Sequence, residues 1–472
     1  MRLLSAIKKF FAVPVGKRQI RGRFDAASSG GENARHWAAA DYLSADAEAN
    51  ESVRKTLRTR SRYEVANNSY ARGMILTLAN DTIGTGPRLQ VLSENEELNS
   101  DIEGAFMQWA ERIDLPGKLR TARMARCQDG EVFILLAQNK KMPLDKVQLD
   151  LQLIEADRIC AASMMSEENS VDGINFDRFG NPESYRMLKY HPGGDEVGNN
   201  AMEFVQIPAE DMIHYFRADR PGQHRGIPEI TSSLPLFAQL RRFTLAVLSA
   251  AEAAADFAAI LYTDAPPSGE SDEVDPLDAI ELRRNMMMTM PAGWKMAQLD
   301  PKQPCSTYAE FKAQILNEIA RCLNMPYNIA AGNSSGYNYA SGRLDHQTYF
   351  KSLRVERSSI VTQILNRIFE AWLREYALLS GKDIPSDLAW SWFWDGFEHV
   401  DPGKEANAID IKLKNGTTTY AAEFAKQGRD WEDEFEQIAK EKRRMQELGI
   451  TPADIVPDEN KNKSQQEENE DE

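Results

Sequence analysis

Between about Arg343 and Leu379 the chain keeps one helical phase, with Phe350, Leu353, Ile360, Ile364, Ile368, Trp372 and Tyr376 marking a single apolar stripe. At about 1.5 Å per residue such a helix is on the order of 55 Å long, which suits an architectural strut. The segment before it, Asn328 to Gly342 (NIAAGNSSGYNYASG), reads as a loop of small, amide and tyrosyl residues. Met325-Pro326 separates that loop from the helix upstream. After the rod, Leu388 to Trp394 reads as a Trp-rich strand, and from about Ala406 two shorter helices surround Gly416 and Gly428. The polar, acidic tail from Pro457 has the composition of a disordered segment.

The N-terminal side has a different grain. Residues 1–45 form a basic, largely flexible arm in which Lys8 and Lys9 interrupt the only apolar stretch, so the core of a secretory signal is missing. Beyond Ser44 a charged helical surface leads into a half-buried helix carrying Val65, Tyr70, Met74, Ile75 and Leu78. Gly84, Gly86 and Pro87 end it and turn the chain into a strand, RLQVL. Further helices are predicted over Asn95–Ile113 and Gly117–Asp129, and strands over Glu131–Gln138 and Asp150–Asp157. Two short strands flank a Gly-Asn-Pro turn between Gly173 and Tyr190. Residues 46–230 therefore read as an α+β module, and the chain as a whole as helix-rich α+β.

At Gly226 the character changes. Thr231 or Ser232 can cap a helix with Pro235 in its first turn, running to about Ala259. Its second half, Ala250–Ala259, is dominated by alanine, which lets neighbouring helices approach closely. Phe243–Tyr262 has the length of a membrane span, but Glu252 and Asp256 sit in its middle. A central carboxylate costs about 2.5–3.5 kcal/mol on insertion scales, so no span and no membrane partner are expected. Asp264–Glu281 is Pro-rich and acidic, includes Asp272, Glu273 and Asp275, and meets no basic residue until Arg283. MMMTMPAGWKMAQL then reads as two strands around Pro291-Ala292-Gly293, the second containing Trp294. A helix over Tyr308–Leu323 carries Phe311, Ile315, Ile319 and Leu323 at regular spacing.

Charge and motifs narrow the chemistry. The formal net charge is -16 and the pI about 5.1, whereas a protein that wraps DNA by neutralising phosphates is basic. The cysteines, Cys127, Cys160, Cys305 and Cys322, have no metal spacing and read as reduced, half-buried thiols. The six histidines, His36, His191, His214, His224, His346 and His399, form no HxH or HxxxH pair, so neither a metal nor a cofactor is expected. Gly84-Thr85-Gly86 lacks the rest of a phosphate loop and reads as a turn. PGQHRG, with His224 and Arg225, has no nucleophile with an orienting partner and reads as a structural turn. Glu252 and Asp256, one helical turn apart, read as a solvent- or lumen-facing acidic stripe. The loop residues Asn333, Ser334, Ser335, Tyr337, Asn338 and Tyr339 fit two roles, a contact surface able to touch a sugar–phosphate backbone or a flexible connector. No catalytic residue is assigned.

Seven stretches, taken together and in this order, resemble the lambda-family phage portal proteins. They are RTRSRYEVANNSYARGMILTLANDTIGTG, CQDGEVF, LQLIEADRI, GINFDRFGNPESY, IPAEDMIHYFRADRPGQHRGIPEI, NSSGYNYASGR and DPGKEANA, and the resemblance extends over about residues 40 to 450. The resemblance implies a ring, usually of twelve subunits, with wing, stem, clip and crown regions. It places the wing at 46–230, a first stem helix at 231–259, the clip at 260–306 and a second stem helix at 307–325. A tunnel loop follows at 326–342, then the long wing helix and Trp-rich strand at 343–400, a helical crown at 401–456 and a disordered tail at 457–472.

The resemblance also implies a role. The ring would sit in the virion at one capsid vertex, pass double-stranded DNA without sequence preference, and be assembled in the host cytoplasm. It would dock the large terminase, the major capsid or scaffolding protein and a tail adaptor, with Asp272, Glu273, Asp275 and Trp294 on the clip docking surface. An acidic channel would repel phosphates and let DNA slide. Two other readings stay open: a metal-dependent nucleic-acid enzyme using Glu252, Asp256 and the acidic linker, and a virion shell or adaptor protein with no DNA channel.

Overall fold

A computed structural model describes residues 35–161, 169–194, 203–256, 260–263, 294–297, 308–397, 402–427 and 429–449. The first half begins with a one-turn helix, α1 (Ala45–Glu48), and then two longer ones, α2 (Glu51–Asn67) and α3 (Ser69–Ile83). The sequence pattern suggested one continuous helix here, but Asn68 breaks it. Its backbone is extended at φ -124°, and its side chain accepts hydrogen bonds from the Tyr70 and Ala71 amides, so it caps α3. Gly84, at φ +58°, ends α3. Next come β1 (Arg88–Leu92), α4 (Glu96–Arg112) and α5 (Leu115–Asp129).

Three strands form the central sheet. β2 (Glu131–Gln138) lies between β3 (Leu149–Glu155) and, from much later in the chain, the strand Met212–Phe216, both antiparallel to it. Between them a second sheet is built from β4 (Ser170–Val171), β5 (Ile174–Phe176), β6 (Pro182–Leu188) and β7 (Phe204–Pro208), after which Met212–Phe216 is β8. The expected hairpin around Gly-Asn-Pro is the β5–β6 pair, closed by Asp177, whose carboxylate accepts from the Phe179 and Asn181 amides. Its two partner strands were not foreseen, being two and five residues long.

The helical half starts with a short 3-10 turn at Thr231–Ser233 and continues as α6 (Leu234–Asp256), beginning three residues later than expected; the last expected residues, 257–259, lie outside the described residues. Thr231 does not cap it; the hydroxyl donates to the Pro228 carbonyl instead. Then follow β9 (Ile260–Thr263) and β10 (Trp294–Ala297), paired antiparallel. β10 is the second of the two strands expected around Pro291–Gly293; the first lies outside the described residues. α7 (Tyr308–Arg321) packs against α6 through Phe243, Tyr308 and Phe311, although Phe311 is half exposed and does not join the core.

The long rod begins earlier than its stripe suggested. After the short α8 (Tyr327–Ala331), helix runs from α9 (Tyr339–Ile360) through a π turn at Val361–Leu365 into α10 (Asn366–Ser380). β11 (Ala389–Phe393) pairs with β1, aligning Trp390 with Val91 and Trp392 with Leu89. Downstream lie three helices where two were expected: α11 (Pro402–Lys414), α12 (Tyr420–Lys426) and α13 (Trp431–Leu448). Gly416, at φ +65°, separates the first two. The remaining named positions Gly428, Cys305 and His399 and the tail from Pro457 fall outside the described residues. Among the described residues no helix is long and apolar enough to cross a membrane.

The rod bridges two cores. Ile364, Ile368, Phe369 and Trp372 pack with Phe106, Trp109, Trp390 and Trp392. Tyr349 and Leu353, nearer its start, pack with Met74, Leu78, Phe237 and Ile319. A third cluster, around Phe133, Tyr185 and Met212, joins the two sheets. Removing a buried aromatic such as Trp372 costs about 3–5 kcal/mol, so each core contributes substantially to holding the rod.

Candidate functional site

The exposed loop ahead of the rod is narrower than the sequence suggested. Tyr327–Ala331 is helical and Tyr339 is the first residue of α9, which leaves Gly332–Asn338. Side-chain amides shape it locally, as asparagine does where helix is not continued. Gly332 turns the chain at φ +62°, and the Asn333 carboxamide oxygen accepts from the Ser335 amide at 2.9 Å. The Tyr337 amide donates to the Ser334 carbonyl at 3.1 Å. Asn338 caps α9 by accepting from the Ser341 amide at 2.9 Å, so its role is structural. Asn333, Ser334 and Ser335 are exposed, whereas Tyr337 is half-buried and its hydroxyl is pushed up first by burial and then by Asp345.

The loop's two flanks are tied together. The Asn328 side-chain amide lies 2.9 Å from His346 Nε2, joining α8 to α9. Further along, Tyr349 donates to Asp81 at 2.9 Å. Burial raises the Asp81 carboxyl and also the Tyr349 hydroxyl, so the tyrosine keeps its proton and acts as the donor. Arg357 donates to the carbonyls of Asp81, Thr82 and Asp395, and its burial brings the guanidinium down to about 10. Those contacts fasten α9 to the end of α3. They also reach the Gly84–Gly86 turn, where the Asp395 carboxylate accepts from the Thr85 amide and hydroxyl.

Glu356 carries the rod to a buried ionic joint. It meets Arg126 and the Tyr215 hydroxyl. Arg126 and Arg123 also hold Glu229, just ahead of α6, at 3.2 and 3.0 Å. Burial alone would raise Glu229, but Arg123, Arg126 and Arg217 overcome it and bring the carboxyl down to about 2. One helix, α5, thus grips both the root of α6 and the rod that leaves the loop.

A second buried joint lies beneath β2. Arg225 Nε sits 3.0 Å from both Glu131 oxygens, the Gly226 amide donates to Glu131 at 3.0 Å, and His214 Nε2 lies 2.9 Å away. Arg58 reaches the same carboxylate at 3.4 Å and Asp157 at 2.8 Å. Burial works against Glu131, yet Arg225 and His214 hold it well below the usual carboxylate range. His214 is stacked between Phe133 and Phe216, and burial lowers it. Backbones pack tightly here: a Cβ on Gly226 would come within 2.2 Å of the Gly130 carbonyl. The PGQHRG segment is accordingly a structural turn, with His224 fixed to Asp46 at 2.7 Å.

These joints are what sequence reading missed. RTRSR, CQDGEVF, LQLIEADRI and IPAEDMIHYFRADRPGQHRGIPEI, dispersed in the chain, supply Arg58 and Arg62, Asp129 and Glu131, Asp157, and His214 and Arg225 to the joint beneath β2, and the last of them also supplies Glu229 to the joint at α5. The available signal was a carboxylate opening an apolar strand, EVFILLAQ, and a histidine inside another, MIHYF.

The other candidates stay apart. Glu252 is exposed on α6 and Asp256 is that helix's last residue; Trp294 opens β10 opposite Thr263, while Asp272, Glu273 and Asp275 lie outside the described residues. One trio, Glu155, Asp157 and His191, brings ligand atoms within 4.8 Å of one another. Arg62 and Arg58 already hold Asp157 at 2.7 and 2.8 Å, so a cation there would compete with two fixed guanidiniums. Of the described thiols, Cys127 is fully buried, Cys160 and Cys322 are half-buried, and burial pushes all three up.

Residues 30–357 match the family model described as phage portal protein, lambda family. A probable portal protein of Halomonas phage phiHAP-1 is 26% identical, with 84% of this chain and 82% of that protein aligned. Portal protein B of Escherichia phage lambda is 21% identical over 82% of this chain and 83% of that one. Among solved structures, a chain in the neck of an empty gene transfer agent particle is similar at a TM-score of 0.49 and 12% identity, covering 79% of this chain and 93% of that one.

Proposed function

The chain belongs to the lambda family of phage portal proteins and is a portal subunit, and on that premise we propose that its copies, twelve by family resemblance, close a ring at a capsid vertex through which DNA passes. The exposed turn Asn333–Tyr337 points into the channel and touches passing backbone without reading sequence. Residues 46–230 form the wing, α6 and α7 the stem, 260–306 the clip, α9 and α10 the long wing helix, and α11 to α13 the crown. Glu252 and Asp256 line the channel as acidic groups. Asp272, Glu273, Asp275 and Trp294 belong to the clip face that docks the large terminase and later a tail adaptor, while the outer ring meets the capsid or scaffolding protein. The terminase hydrolyses ATP, and the ring is a passive conduit.

One observation carries the loop's role. A short exposed turn, built from small polar residues, sits at the head of a rod fastened along its length by Asp81, Arg126 and two apolar cores. Such a mount holds a contact surface at a fixed place while leaving the contact itself adaptable. Replacing Asn333–Tyr337 by a short glycine linker keeps the Asn338 cap and is expected to leave ring formation intact. DNA packaging or retention in an in vivo complementation assay should fall at least about tenfold. Normal packaging and retention by intact rings lacking these side chains would refute the assignment.

A further inference from the structure

We propose that the N-terminal arm of each subunit docks on the adjacent copy of this chain, with Trp37 and Tyr42 as its anchors; this rests on the ring reading above. The arm's root is firmly attached to its own subunit. Arg220 donates to the Leu43 carbonyl at 3.0 Å and pairs with Glu48, and His224 binds Asp46 through both backbone amide and ring nitrogen. Ala45 is buried there. Just beyond the root, among the described residues, apolar side chains stand exposed: Trp37 is 51% exposed, Leu43 45%, and Tyr42 as exposed as in an open chain. The ring contact Trp37 makes is with its neighbour His36.

Tryptophan and tyrosine are the residues that most often anchor protein interfaces when a partner desolvates them. These two lie inside the stretch that matches the family model, which begins at residue 30. Charge selects the partner. The first 34 residues carry seven basic and two acidic side chains, while the remainder carries 49 basic and 70 acidic ones. A basic arm is thus complementary to the body of this same chain. A ring is closed by heterologous contacts, in which each copy offers one surface and receives a different one. An arm rooted on its own subunit, with Trp37 and Tyr42 exposed next to that root, supplies the offered surface.

The test uses rings of the full-length chain assembled from equal amounts of unlabelled and nitrogen-15-labelled subunits. A zero-length carbodiimide joins Lys8, Lys9 or Lys17 to carboxylates, and mass spectrometry reads the labels on each pair. Mixed-label pairs as frequent as same-label pairs are expected; exclusively same-label pairs would mean that the arm folds back on its own subunit and would overturn the proposal. A second variant, Trp37→Ala with Tyr42→Ala, lies outside every core and should leave the subunit's melting temperature unchanged. It should raise the concentration at which rings dissociate at least about tenfold, as loss of two interface anchors predicts. Rings that dissociate like the parent contradict the inference, and if such rings also fail to enter shells, the arm's partner is the capsid. A parent chain that forms no ring at any concentration defeats the ring reading itself.

Discussion

Glu131 and Glu229 are buried carboxylates, each answered by guanidiniums that come from distant parts of the chain. A buried ion pair gains little over an apolar one, but removing one partner leaves the other charge stranded and costs about 3–5 kcal/mol. Their response to pH has a definite sign. Glu229 sits at about 2 against an ordinary 4.5, so its contribution is complete above pH 4.5 and is lost as pH falls toward 2, on the order of 3 kcal/mol in all. His214 is lowered from 6.5 by burial, so folding favours its neutral form, and that contribution also fades as pH falls below 6.5. Denaturant midpoints measured from pH 8 to 3 should therefore be flat near neutrality, decline below about 6.5 and drop more steeply below 4.5. Glu229→Gln should be less stable at pH 7 and show a smaller steep step, the remainder coming from Glu131; an unchanged low-pH limb in that variant would exclude Glu229 as a source.

Among the elements, the break at Asn68 shows how one residue redirects a helix. The side chain caps α3 while α2 ends against its extended backbone, so the two helices leave at an angle and can pack on each other and on α5. Asn68→Ala removes the cap and should cost about 1 kcal/mol in thermal or denaturant unfolding, within a usual range of about 0.5–2. No measurable change would mean that tertiary packing alone sets the break. The π turn at Val361–Leu365 marks a second adjustment: Ile364 and Leu365 are buried there, where the rod passes from the core around Tyr349 toward that around Trp372. Its apolar stripe was legible because burial on one face imposes helical spacing. The π turn was not, because it depends on which neighbours the two halves must meet.

For the whole molecule, the charge balance is the dominant long-range property. A chain of net charge -16 has few means of gripping DNA phosphates, so the proposed ring, once purified, should bind linear duplex weakly. The slope of log K against log salt should lie near zero, in contrast to proteins that neutralise several phosphates. A steep negative slope in a titration from about 50 to 200 mM salt would show that the protein grips duplex through its phosphates. The same balance makes the basic arm conspicuous, since it is the one N-terminal stretch whose charge opposes that of the body.

By itself the sequence determined the long rod, the alanine-rich α6, the central strand Glu131–Gln138, the α+β character of the first half and, through seven ordered stretches, the family. Periodicity and turn chemistry act over a few residues, so they can be read locally. Only the tertiary structure decided that β1 pairs with β11 some 300 residues later, that the exposed turn shrinks to Gly332–Asn338, and that Glu131 and Glu229 are buried and not solvated. Those outcomes turn on which distant groups meet once solvent is excluded. A carboxylate has no preference for the interior until the arginine that will answer it has been brought there by the fold.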